Sequence, residues 1–195
     1  MGVSMPPVKP EPGYFTGQLL IAMPHMGDPR FARSIIYICA HTSDGAMGLV
    51  INRQIDSITF TDLLKQLNIE TADIDNRIQV MFGGPVEVGR GFVLHTSDYV
   101  EKSTLLVDED VALTATLDVL RDIAAGSGPR RNLLALGYAG WGPGQLDAEF
   151  EANGWLNLAA DEDLVFDKNL DTKWERALDK LGVDLTNLSG QSGHA

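Results

Sequence analysis

The sequence predicts an α+β fold with a mixed or partly closed sheet. Strand-like apolar runs outnumber helix-like ones. A hairpin is signalled early, where Asp44-Gly45 separates two apolar runs. Helices come singly rather than after every strand, which disfavours a doubly wound parallel sheet.

Along the chain, Pro6, Pro7, Pro10 and Pro12 mark residues 1–13 as a disordered or extended arm. A single domain is expected over residues 14–185. Gly17 to Met23 reads as a strand stopped by Pro24, and Ser34 to His41 as a strand apolar on both faces. Thr42 to Gly45 is the turn into the strand Ala46 to Ile51. Thr59 can cap a helix whose Phe60, Leu63, Leu64 and Leu67 share one face, with Asp62 in its first turn. Ile78 to Phe82 and Phe92 to His95 read as strands, as do the short runs Leu105 to Val107 and Val111 to Leu113. Leu117, Leu120 and Ala124 line a helix ended by Gly126. Leu133 to Leu136 is a buried strand leading into a glycine-rich loop from Gly137, and a helix starts at Gln145. Trp155 to Leu158 and Leu164 to Phe166 are expected as short strands. Asp171 is expected to cap a last helix, with Trp174, Ala177, Leu178 and Leu181 as its apolar stripe. Residues 186–195 are polar and glycine-rich, and read as a flexible tail.

Composition narrows the function classes. The formal net charge is −12, which repels a phosphate backbone unless a local basic patch outweighs it. The clearest basic cluster is the dipeptide Arg130-Arg131, so direct nucleic-acid binding is disfavoured. No apolar run approaches the ~20 residues that span a bilayer, and no basic-then-apolar leader is visible. Cys39 is the one cysteine, which excludes an internal disulfide and fits a reducing, cytoplasmic setting.

The stretch Gly137 to Glu149 admits three readings. A phosphate site would use free N–H groups at the helix start. Asp147 and Glu149 oppose it, and no Lys, Ser or Thr stands where a P-loop needs one. A tight, aromatic-pinned corner is the second reading. The third is a ligand or peptide groove using Tyr138, Trp141 and Gln145. Asn52 and Arg53 at a strand end, and Arg90 between glycines, are further candidates, since polar groups beside glycine loops often line clefts. Cys39 and His41 stand two apart on one strand and are weak catalytic candidates. A thiol nucleophile needs a base at hydrogen-bond distance, whereas side chains at i and i+2 start ~7 Å apart. His25, His41, His95 and Cys39 match no zinc spacing, so neither a metal nor another cofactor is expected.

Several blocks together resemble the YqgE/AlgH family of bacterial proteins. They are Gly17-Gln18-Leu19-Leu20-Ile21-Ala22-Met23-Pro24, Ile38-Cys39-Ala40-His41, and Gly45 through Asn52-Arg53. Gly83-Gly84-Pro85-Val86, Gly91-Phe92-Val93-Leu94-His95 and Leu136 through Trp141, followed by Gly144-Gln145-Leu146, complete the likeness. The resemblance implies a cytoplasmic protein whose mixed, mainly antiparallel, barrel-like sheet carries flanking helices. It also implies the family's label of transcriptional regulator, and it brings no catalytic residues. Many members carry Glu where this chain has Ala40, which weakens an enzymatic use of Cys39 and His41. The reading that results is a non-enzymatic regulatory module contacting a protein or small molecule. Its groove would use Asn52, Arg53, Gly83, Gly84, Arg90, Tyr138, Trp141 and Gln145. The alternative is a Cys39/His41 enzyme or redox sensor.

Overall fold

The computed structural model describes residues 14–70 and 78–183. The expected N-terminal arm and C-terminal tail lie outside the described residues. Strands β1 (Gln18–Ala22), β2 (Ile35–Thr42) and β3 (Gly45–Val50) open the domain as an antiparallel meander. Helix α1 (Phe60–Gln66) starts at Thr59, whose hydroxyl accepts the Asp62 N–H while the Asp62 carboxylate accepts the Thr59 N–H. This reciprocal capping box satisfies two donors that a helix start leaves open.

Strands β4 (Val80–Phe82), β5 (Val86–Thr96), β6 (Leu105–Leu106) and β7 (Val111–Thr114) follow. Next come α2 (Leu117–Ala125), β8 (Asn132–Trp141), α3 (Gln145–Glu151), β9 (Trp155–Ala159), α4 (Glu162–Val165) and α5 (Lys173–Lys180). The strands form one sheet in the order β6-β7-β5-β8-β3-β2-β1-β9, with β4 parallel to β8. The other pairings are antiparallel, so the α+β class with a mixed, curled sheet holds.

Strand β8 joins the two halves of the sheet. Leu133 to Leu136 pair with β5, and Ala139 to Trp141 pair with β3. The stretch expected as a glycine-rich loop is therefore strand as far as Trp141. Its glycines serve close approach rather than a loop. Gly137 bends the strand at φ +76. Gly83 and Gly84 pack so tightly against it that a Cβ on either would collide with the Gly137–Ala139 backbone. Glycine inside a strand commonly marks such a bend or backbone contact.

Two further expectations change. Leu164 to Phe166 belong to α4 and its C-cap, because Asp161 caps that helix by accepting the Leu164 N–H at 2.7 Å. A three-residue apolar run has no period to separate strand from helix. The last helix takes Thr172, not Asp171, as its N-cap.

Three apolar clusters follow from the alternation of side chains. On β1, Leu19 and Ile21 face one cluster and Leu20 and Ala22 face another, so the strand is buried on both sides. The first cluster fills the inside of the curl and is covered by α4 and α5. The second lies under α3, through Leu146, Trp141 and Trp155. The third lies under α1 and α2, through Phe60, Leu64, Val119 and Leu120.

Candidate functional site

A groove of about 730 Å³ opens on the sheet where β8 passes between β3 and β5. Tyr138 is central to it. Its ring lies over Gly140, where a Cβ would stand 3.3 Å from Cε2, and meets Phe92 edge-on at 5.8 Å. One wall is the β2–β3 hairpin, with Ala40, Asp44 and Met47. The opposite wall is Leu105 and Leu113. Val86 pairs with Tyr138 and Gly91 with Leu136, so β5 makes an excursion between them. That excursion carries Arg90, whose guanidinium sits 5.0 Å above the Phe92 ring and 3.5 Å from Glu87. Val86 and Leu105 are large apolar side chains left 36% and 46% exposed here. The result is an apolar trough with a few charged groups at its rim, the usual character of a ligand site.

The predicted site residues divide among different places. Arg90, Tyr138 and Trp141 meet at the groove. Asn52 and Arg53 do not reach it. Asn52 accepts the Ile35 N–H and donates to the Arg33 carbonyl, and Arg53 donates to the carbonyls of Arg30 and Ala32. Both therefore fasten the loop before β2, beside a separate hollow of about 250 Å³ bordered by Trp174 and Glu175. Gly83 and Gly84 serve the β8 crossing. Gln145 belongs to the corner. It accepts the Gly142 N–H at 3.0 Å, while the indole N–H groups of Trp141 and Trp155 both reach Glu149 Oε2, at 2.8 and 3.1 Å. The aromatic-pinned corner and the groove are thus adjacent features on one strand.

Cys39 and His41 do not form a dyad. The β2–β3 register shifts between Ile38 and Ala40, which makes a bulge at Cys39 and resets the alternation. Cys39 packs into the first cluster, and burial pushes its thiol up to about 12. His41 turns to the other face, stacked on Phe15. Its Nδ1 accepts the Phe15 N–H at 3.0 Å, which leaves the hydrogen on Nε2, 3.5 Å from Asp147. A buried neutral thiol is not a nucleophile.

The fold also buries polar groups that the sequence did not single out as such. His95 is fully buried, its ring nitrogens 2.8 Å from the Thr96 carbonyl and 2.7 Å from the Thr114 hydroxyl. Desolvation lowers its pKa, so it is a neutral structural pin. Lys173, also fully buried, donates to the carbonyls of Ile51, Val165 and Asp167. A second hollow, of about 550 Å³, holds Arg130 and Arg131, which are paired with Glu162 and Asp163. Among the described residues no group of three or more His, Cys, Asp or Glu is placed to hold a metal ion. Met47, Phe92, Leu105 and Leu113 were readable only as strand residues, because nothing in the sequence shows that β3, β5, β6 and β7 converge on Tyr138.

The family model described as AlgH-like matches residues 19–186. A UPF0301 protein of Rhodospirillum rubrum is 56% identical over 183 residues, covering 94% of this chain and 95% of that one. The solution structure of the AlgH protein from Pseudomonas aeruginosa is 44% identical with a TM-score of 0.76, covering 96% of this chain and all of that one. A crystal structure from Corynebacterium diphtheriae shares the fold at a TM-score of 0.68 and 21% identity, over 90% of each chain. The chain belongs to the AlgH-like, or YqgE/AlgH, family.

Proposed function

We propose that this protein is a non-enzymatic cytoplasmic regulatory module that works through a protein or small-molecule contact in the Tyr138 groove. The observation that carries this reading is the groove itself. It is the one hollow of the three described above that combines exposed large apolar side chains, an aromatic floor and a rim cation. The basic dipeptide Arg130-Arg131 is engaged by acidic side chains, and the whole chain carries −12. A transcriptional role, as the family's label implies, would then run through a contact other than the DNA backbone.

Two titrations test it. Fluorescence anisotropy with duplex DNA at low salt is expected to show no binding. A library of organic fragments and short peptides, followed by methyl NMR, is expected to shift Met47, Leu105 and Leu113 together. Tight, salt-sensitive DNA binding would overturn the reading.

A further inference from the structure

We infer that the Tyr138 groove takes a small organic acid, with an apolar body lying on the groove floor and a single carboxylate paired with Arg90. The inference rests on the groove being a binding surface, and it names the chemistry that surface selects.

Charge sets the polarity of the ligand. Among the described residues that line the groove, Arg90 carries the one positive charge and Asp44 the one negative charge. The two differ in setting. Asp44 lies in the exposed turn between β2 and β3. Arg90 is anchored on the groove itself, since its guanidinium sits 5.0 Å from the centroid of the Phe92 ring, another lining residue. Its ion-pair partner is the Glu87 carboxylate at 3.5 Å, with both side chains more than half exposed. Exposed pairs of this kind contribute little. A ligand carboxylate can therefore take the guanidinium's fork of N–H donors in a shorter, two-bonded contact.

The surrounding charges limit that ligand to one negative group. Glu87 and Asp44 both repel a second anionic centre, and the whole chain carries −12. A phosphate ester or a dicarboxylate is thereby disfavoured against a monocarboxylate.

The floor sets the body. Tyr138 and Phe92 meet edge-on and form a corner of two rings, with Met47 and Leu113 beside them. Val86 and Leu105 leave apolar surface open to water at the same hollow. An apolar body seated there removes that surface from water, and the gain grows with the area covered. The volume of about 730 Å³ lies within the range of small-molecule sites. Apolar walls with one placed cation are the arrangement that orients an acid by its head.

The test titrates the full chain with three matched probes, phenylbutyrate, phenylbutanol and phenylbutylamine, followed by methyl NMR. Phenylbutyrate is expected to shift Met47, Leu105 and Leu113 and to bind about tenfold more tightly than phenylbutanol. Arg90→Gln is expected to remove that advantage and to leave phenylbutanol affinity unchanged. Arg90→Glu is expected to reverse the preference, so that phenylbutylamine binds more tightly than phenylbutyrate. Decanoate separates the sources: tighter binding than phenylbutyrate assigns an aliphatic body and weaker binding an aromatic one, and either supports the carboxylate. Equal affinity for acid and alcohol, tighter binding of the amine to the wild type, or an acid advantage that survives Arg90→Gln overturns the inference. So do acid-dependent shifts at Leu170 instead, which would place the carboxylate in the hollow of Arg130 and Arg131. If the acid shows no advantage while other fragments or peptides still shift Met47 and Leu105, the groove reading stands and only the carboxylate assignment falls. If no ligand moves those methyl groups, both fall.

Discussion

Cys39 and His41 stand two positions apart on β2 and face opposite sides of the sheet. The bulge between Ile38 and Ala40 separates them, because one extra residue reverses the alternation that would otherwise align them. The thiol lies in the inner cluster with its pKa pushed up to about 12. Alkylation of the native protein is therefore expected to stay slow from pH 5 to 9 and to become fast only in denaturant. Mass spectrometry of the modified chain checks this. Cys39→Ala is expected to cost about 1 kcal/mol through lost packing and to leave ligand binding unchanged.

Lys173 gives the fold a pH dependence of its own. Burial lowers its pKa to about 7, against 10.5 for the unperturbed group. Between those values the unfolded state binds more protons than the native state. Stability from this group therefore rises with pH across that window, and its penalty is fully present below about pH 7. Urea midpoints measured from pH 7 to 10 are expected to climb in the wild type relative to Lys173→Met. The same variant leaves three carbonyls without their donor and is expected to lose about 3–5 kcal/mol at neutral pH.

Glu149 holds two indoles with one carboxylate oxygen, and so ties β8 to β9 through α3. Glu149→Ala strands two indole donors, of which Trp155 is nearly fully buried. A loss of about 2–3 kcal/mol is expected, with a red shift of tryptophan emission if water enters the corner. Denaturant unfolding followed by fluorescence measures both.

Gly84→Ala is expected to prevent folding. Gly84 sits at φ +156, and a Cβ there would collide with the Tyr138–Ala139 peptide, which β8 cannot move without losing its pairing to β3. The readout is insoluble expression, against soluble expression for Gly89→Ala, where a Cβ meets open space.

The elements that local signals determine were legible in the sequence. Asp44-Gly45 marked the β2–β3 turn, Thr59 with Asp62 marked the start of α1, and Gly126 ended α2 in the left-handed conformation. The rest is set by distant partners, which no local pattern shows. Gly137 to Trp141 looked like a loop because glycines weaken strands, yet Gly83 and Gly84, over fifty positions earlier, require that bareness. The bulge at Cys39 carries no glycine or proline to announce it. The groove was half legible. Tyr138 and Arg90 were singled out by their settings, but Met47 and Leu105 look like any strand residues until the sheet brings them together.

The most direct measurement is methyl NMR of the full chain titrated with the fragment and peptide library, repeated on Tyr138→Ala. The expected result is that binders shift the methyl groups of Met47, Leu105 and Leu113 in the wild type and lose this effect in a still-folded variant. Binders that leave those methyl groups unmoved and instead shift Leu170 beside Arg53, or that attach covalently to Cys39, would contradict the assignment of function to the Tyr138 groove.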